Sequence, residues 1–158
     1  MIDVSNYTKA REDALRYFHT VGRIFCTAFN ADVYFTSEGF NHLVYKSGRI
    51  ERSKESQVMK FRLLPRAIEL VKLTTTYQEY DEHLQEFEVK RFKKRVRESK
   101  LVRYWGLIAI IRDFKIKVII RQVGDGHKHF WSIIPNWTTS QHRDIKLISQ
   151  MRGDPQND

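Results

Sequence analysis

The stretch Tyr104 to Trp137, YWGLIAIIRDFKIKVIIRQVGDGHKHFWSIIPNW, limits the fold more than any other part of the chain. Trp105 to Arg112 is apolar on both faces, the pattern of a central strand covered on two sides. Phe114 to Val123 alternates instead. Phe114, Ile116, Val118 and Ile120 point one way, and Lys115, Lys117 and Arg121 the other, with Ile119 among them. Gly124-Asp125-Gly126 supplies the positive φ angles that a tight hairpin needs. His129 to Ile134 then returns as a third strand before Pro135. The pattern predicts an antiparallel meander over 104–134, with its basic face as the seat of activity.

The register of the last hairpin decides what shares that face. A two-residue turn at Asp125-Gly126 sets Arg121 opposite Phe130 and puts Lys117, Arg121, Phe130 and Ser132 together. A three-residue loop sets Arg121 opposite His129, joined by Trp131. A one-residue slip flips the whole strand. The first register is favoured, because it buries Trp131 and Ile133 with Val118 and Ile120.

Around the meander, residues 5–29 read as a helix with Leu15, Phe18, Gly22, Phe25 and Phe29 in one stripe, capped by Ser5 or Thr8. DVYFT at 32–36 reads as a short strand and Phe40 to Lys46 as a second, or as a strand end. Ser53 to Thr74 is helical, with Ser53 or Ser56 as cap. Pro65 is expected to divide it, sitting in the first turn of a helix that runs to Leu73. A strand is expected near Phe87 to Phe92, and a C-terminal helix over 138–151. No repeat or linker interrupts the chain. The expectation is one α+β domain over 1–152, with helices before the sheet, a short helix after it, and a disordered tail at 153–158.

The 158 residues carry 28 Lys and Arg against 19 Asp and Glu, a net charge of +9, which points to an anionic partner. The charge is uneven. Residues 90–103, KRFKKRVRESKLVR, hold eight cations and one glutamate. Lys90, Arg91, Lys93, Lys94, Arg95 and Arg97, with Lys117 on the meander, are therefore the expected nucleic-acid contacts, with Phe92, Tyr104 and Trp105 as stacking groups. Cys26 stands alone in an apolar run, which excludes an internal disulfide and a thiolate zinc cluster and fits a reducing, cytoplasmic setting. No run reaches the ~18 apolar residues of a membrane span, and the polar start MIDVSNYTKARED is not a signal peptide. Arg49 and Arg52 read as surface charges, and the acidic residues of 79–88 as a solvated face.

GxxxxGK[ST], GxGxxG after a strand, HExxH and GxSxG are all absent. His127 and His129 share one strand face but lack a third ligand beyond Asp125, so no metal or cofactor is expected. The informative group is His42, Lys46, Arg62, Lys117, Arg121, His129 and Ser132. RNA brings its own nucleophile, the 2′-hydroxyl. A protein that cleaves it needs a base, an acid and cations on the phosphate, and histidine, lysine and arginine suffice.

The order of helix, short strand with His42, helix with Arg62 and Pro65, and a meander ending in IIRQ and FWSI resembles the Barnase–EndoU–colicin–RelE-like nucleases, in their phage- and mobile-element-borne branches. The likeness covers about residues 32–135. It implies a small α+β ribonuclease with a curved antiparallel sheet, acting without metal and leaving a cyclic phosphate. It also implies RNA as partner and, in toxin members, an acidic antitoxin or immunity protein. On that likeness His42, Arg62, Arg121 and Ser132 are the catalytic set, and charge and proximity add Lys46 and His129.

Overall fold

The 104–134 meander forms as its alternation predicts, but inside a larger sheet. The computed structural model describes residues 2–135, 149–150 and 153–158. Its elements are α1 (Tyr7–Val21), β1 (Arg23–Cys26), β2 (Ala31–Tyr34), α2 (Ser37–Val44), a 3₁₀ turn (Ser47–Arg49), α3 (Lys54–Leu73), β3 (Glu79–Arg91), β4 (Lys94–Ile111), β5 (Phe114–Val123), β6 (Lys128–Pro135) and β7 (Ser149–Gln150). The strands make one open sheet in the order β1-β2-β6-β5-β4-β3-β7. The pairs β2–β6 and β3–β7 are parallel and the rest antiparallel. The architecture is α+β.

One face of the sheet carries the main core. Ile116, Val118 and Ile120 of β5 meet Phe130 and Ile133 of β6, Trp105 of β4 and the buried sides of α1 and α3. Phe18 of α1 sits edge-on to Phe35, Phe40 and Phe130 at 5.3–5.7 Å. Fully burying each such ring contributes about 1.5–3 kcal/mol. The opposite face holds a smaller cluster of Val102, Tyr104 and Ile119, flanked by Phe87, Val123, Trp131 and Ile134. The basic residues of β5 lie on that second face, and it is covered: Lys117 is 0% exposed and Arg121 6%.

Several expectations change. The first helix stops at Val21, because Gly22 takes a φ of 65° and turns the chain into the β1–β2 hairpin. The segment expected as a strand from Phe40 is α2. Phe40, Leu43 and Val44 bury one side of a helical turn, so the period is helical and His42 sits on a helix. Pro65 does not divide α3, which runs unbroken from Ser53, whose side chain accepts from Ser56 N at 3.2 Å. Pro65 is on the exposed side, where water can serve the carbonyl that its missing N–H leaves unbonded. The expected 87–92 strand is a thirteen-residue β3. The expected C-terminal helix lies outside the described residues except at Ser149–Gln150, which pair with Glu79 and Tyr80 as a strand. The tail expected to be disordered is docked, as described below.

The basic run at 90–103 is half of a long hairpin. β3 and β4 pair from Glu79↔Gly106 to Arg91↔Lys94, turning at Phe92 and Lys93 with φ of 49° and 65°. β5 joins β4 only from Val102 onward, so the hairpin projects beyond the sheet as a two-stranded arm. Register places acids opposite the cations. Arg91 meets Glu98, Arg95 meets Glu88, Arg97 meets Glu86 and Arg103 meets Glu82. The solvated acidic face and the basic run thus neutralise each other along the shaft.

Candidate active site

Five elements converge on the covered face at β6. The first is α2, which lies unusually close to that strand. A Cβ on Gly39 would stand 2.2 Å from the Phe130 carbonyl oxygen, so only glycine permits the approach. His42 follows three residues later on the same helical face. Its ring stacks on Trp131 with centroids 4.1 Å apart and planes 19° apart.

Arg52 comes from the loop after α2. Its backbone N–H donates to Val44 O at 2.8 Å, which ties the loop back. Its guanidinium donates from Nε to His42 O at 3.0 Å and from Nη2 to His42 Nε2 at 3.1 Å. Arginine has only donors, so His42 Nε2 is the acceptor and the ring proton is on Nδ1. Burial, then Arg52, Lys60 and Arg121, push the His42 pKa down to about 3. This imidazole is neutral at physiological pH, and the three cations that hold it so surround it together.

Lys60 is the cation that α3 delivers. Gln57, one turn earlier on the same face, is fully buried and donates to Arg52 O at 2.8 Å, fixing loop to helix. Lys60 Nζ donates to Ser132 Oγ at 3.1 Å, Ile133 O at 2.7 Å and Asp158 O at 2.9 Å. Burial, then Arg52, lower its pKa from 10.5 to about 7, against a smaller raising effect of Asp158. A lysine so tuned exchanges a proton near neutral pH.

The strands supply the rest. Arg121 Nε donates to the Tyr104 hydroxyl at 3.2 Å, and its guanidinium lies 4.3 Å from the Trp131 ring centre. Ser132 Oγ donates to Asp158 O at 3.0 Å. The open question of register resolves into both answers. Near the turn Arg121 pairs with His129, and Ile120 with Phe130. A bulge then inserts Trp131, so that beyond it Ile119 pairs with Ser132. His129 and Ser132 therefore both face the site. Trp131 is not buried with Val118 and Ile120, as expected, but projects onto the covered face. His129 is buried beside Arg121, with Nε2 3.8 Å from Glu38 Oε2. Burial, then Arg121, lower its pKa.

A cleft of about 200 Å³ opens between His42, Lys46, Tyr104, Arg121, Trp131 and Gln156. The structure thus brings together His42, Arg121, His129 and Ser132, with exposed Lys46 at the rim. Arg62 is elsewhere. It is exposed on the other side of α3 and lines a separate cleft of about 350 Å³ with Asp3, Tyr17 and Pro65. Lys117 is no surface contact for nucleic acid. It is fully buried and ion-paired with Glu79 at 2.7 Å, in space that side-chain-free Gly106 leaves open.

Two site residues escaped the sequence reading. Arg52 passed as a surface charge, and nothing local marks it otherwise. Lys60 had a signal: with Gln57, Phe61, Leu64, Ile68 and Val71 it occupies the buried helical stripe of α3, where a lysine needs a reason.

His127 stacks on Tyr34 at the surface and does not converge with His129. Among the described residues no three His, Cys, Asp or Glu side chains gather to hold a metal, and no helix is long and apolar enough to cross a membrane. No family model, no curated protein and no solved structure matches the chain.

Proposed function

We propose that this chain is a metal-independent endoribonuclease, cleaving by attack of the 2′-hydroxyl on the adjacent phosphate to leave a cyclic phosphate. The observation that carries the reading is the gathering of three buried cations, Arg52, Lys60 and Arg121, around His42, with His42 and Arg121 lining the cleft and the Ser132 hydroxyl bonded to Lys60. Burying like charges together is costly unless an anion joins them; Asp158 lies beside Arg52 and Lys60 here, and in this reading a phosphate gaining charge in its transition state takes that place. The same three charges repel a divalent cation, which argues for chemistry without one.

In this reading Arg121 and Arg52 neutralise the phosphate, and Ser132 orients it. Lys60, with its pKa near 7, takes the 2′-hydroxyl proton as that oxygen bonds to phosphorus, and the departing 5′ oxygen takes a proton from water as its bond to phosphorus breaks. His42 positions Arg52 and the Trp131 ring, since its own nitrogen is already engaged and its pKa is too low for an acid at neutral pH. The hairpin arm adds binding. Among the described residues Lys90, Lys93 and Lys94 have no acidic partner within 4 Å, and Phe92 between them is 98% exposed. These tip residues, rather than the whole basic run, are the phosphate and stacking contacts. Tyr104 to Lys94 is ten residues of strand, roughly 33 Å, so the arm engages RNA well away from the cut.

The test is a cleavage assay on RNA and on DNA of the same sequence, with excess chelator. Chelator-resistant cutting of RNA alone, with 2′,3′-cyclic phosphate ends, is expected. Equal cutting of DNA, or loss of activity in chelator, rejects the mechanism.

A further inference from the structure

Residues 153–158 sit on Arg52, Lys60 and Ser132 beside the cleft, which Gln156 lines. Asn157 N and Asp158 N donate to Asp154 O at 3.0 and 2.7 Å, and Gln156 N donates to Asp154 Oδ1 at 3.1 Å, so the segment is a compact turn. It presents main-chain oxygens to the site. Trp131 Nε1 donates to Pro155 O at 2.8 Å, Arg52 Nη1 to Asn157 O at 2.9 Å, and both Lys60 Nζ and Ser132 Oγ to Asp158 O. Gln156 reaches Gln85 at the base of the arm, 3.3 Å away. Two of the donors so occupied, Arg52 and Ser132, are those assigned above to the phosphate, and a third, Lys60, is the proposed base.

From this overlap we propose that residues 153–158 form a tethered competitor, an intramolecular occupant of these donors that an RNA phosphate must displace. The inference rests on the ribonuclease reading for its ligand, a nucleic-acid phosphate, but not for the contacts. An acceptor oxygen is what these donors require, and the main-chain oxygens of Asn157 and Asp158 supply it. The fit is also incomplete. Asp158 Oδ2 is buried and finds no hydrogen-bond partner among the described residues. Such an orphaned oxygen costs stability in the closed form, which keeps the segment displaceable. If the closed form holds nine-tenths of the molecules, ligand affinity falls about tenfold, and removing the segment restores it.

The experiment compares the full chain with a variant ending at Arg152. The probe is a fluorescent 2′-deoxy tetranucleotide, which presents phosphates and lacks the 2′-hydroxyl. The truncated variant should bind it about tenfold more tightly. A synthetic peptide of residues 153–158 should compete in the variant and have little effect on the full chain. Cleavage of RNA by the variant should show a lower KM at similar kcat. Should the truncation unfold, D154A decides. It removes the carboxylate that accepts from Gln156 N and Asn157 Nδ2 while leaving the cleft's own side chains in place, and should tighten probe binding by a smaller factor. Equal probe affinity in the full chain and a folded variant overturns the proposal. Tighter binding in a variant that cuts no RNA leaves the strap standing and defeats the ribonuclease reading instead.

Discussion

Replacing Lys60 by Met separates its two roles, because one of them has a pH dependence that nothing else in the site reproduces. Burial lowers the pKa of this amine from 10.5 to about 7 in the folded protein. Between those values the unfolded chain binds a proton that the folded chain does not, so stability rises with pH. The deficit is complete below about pH 7 and is gone above 10.5. A tenfold difference in proton affinity between the folded and unfolded states is worth about 1.36 kcal/mol. Integrated from pH 7 to pH 9, the folded protein gains about 2 kcal/mol from Lys60 alone. Methionine has similar length and no charge, so K60M lacks this gain. Urea unfolding of both proteins at pH 7 and pH 9 measures it, since groups common to both cancel in the difference. K60M also loses the proposed base, and cleavage should drop roughly 100–10,000-fold. In the parent, cleavage should rise with pH and level off above about 7, as the amine loses its proton. A parent and variant with the same change in stability from pH 7 to 9 would refute the reasoning about Lys60.

Other perturbations probe other parts of the site. R121A removes an electrostatic stabiliser and should slow RNA cleavage roughly 100–1000-fold at unchanged fold, read by circular dichroism beside the activity assay; full activity would remove Arg121 from the mechanism. G39A drives a Cβ to within 2.2 Å of the Phe130 carbonyl, so α2 must shift and carry His42 off Trp131. It should lower stability by about 1–3 kcal/mol and quench activity, measured by thermal unfolding and cleavage rate. Changing Lys90, Lys93 and Lys94 together to Gln should flatten the dependence of log affinity on log salt by about 2 for single-stranded RNA, at roughly 0.7 per phosphate. Changing Arg95 and Arg97, which already face glutamates, should flatten it less.

The chain by itself determined the meander. Strict alternation over 114–123 and the Gly-Asp-Gly turn are local rules, and β5 spans Phe114–Val123 accordingly. The same holds for Ser53 as a cap. Tertiary structure decided what that face does. The bulge at Trp131 arises where β6 must satisfy one register at the turn and another beyond it, and it alone brings His129 and Ser132 to the same side as Arg121. The basic run at 90–103 looked free because, apart from Glu98, its acids lie on β3 before it, and they meet it only through pairing between strands. Arg52 looked like a surface charge and Lys117 like a nucleic-acid contact because burial is a property of what covers a residue. Here the covers include β3 over Lys117 and the docked segment 153–158 over Arg52 and Lys60, both distant along the chain. Local periodicity fixes which way a side chain points, while only the long-range contacts fix whether it meets water, an acid or another cation.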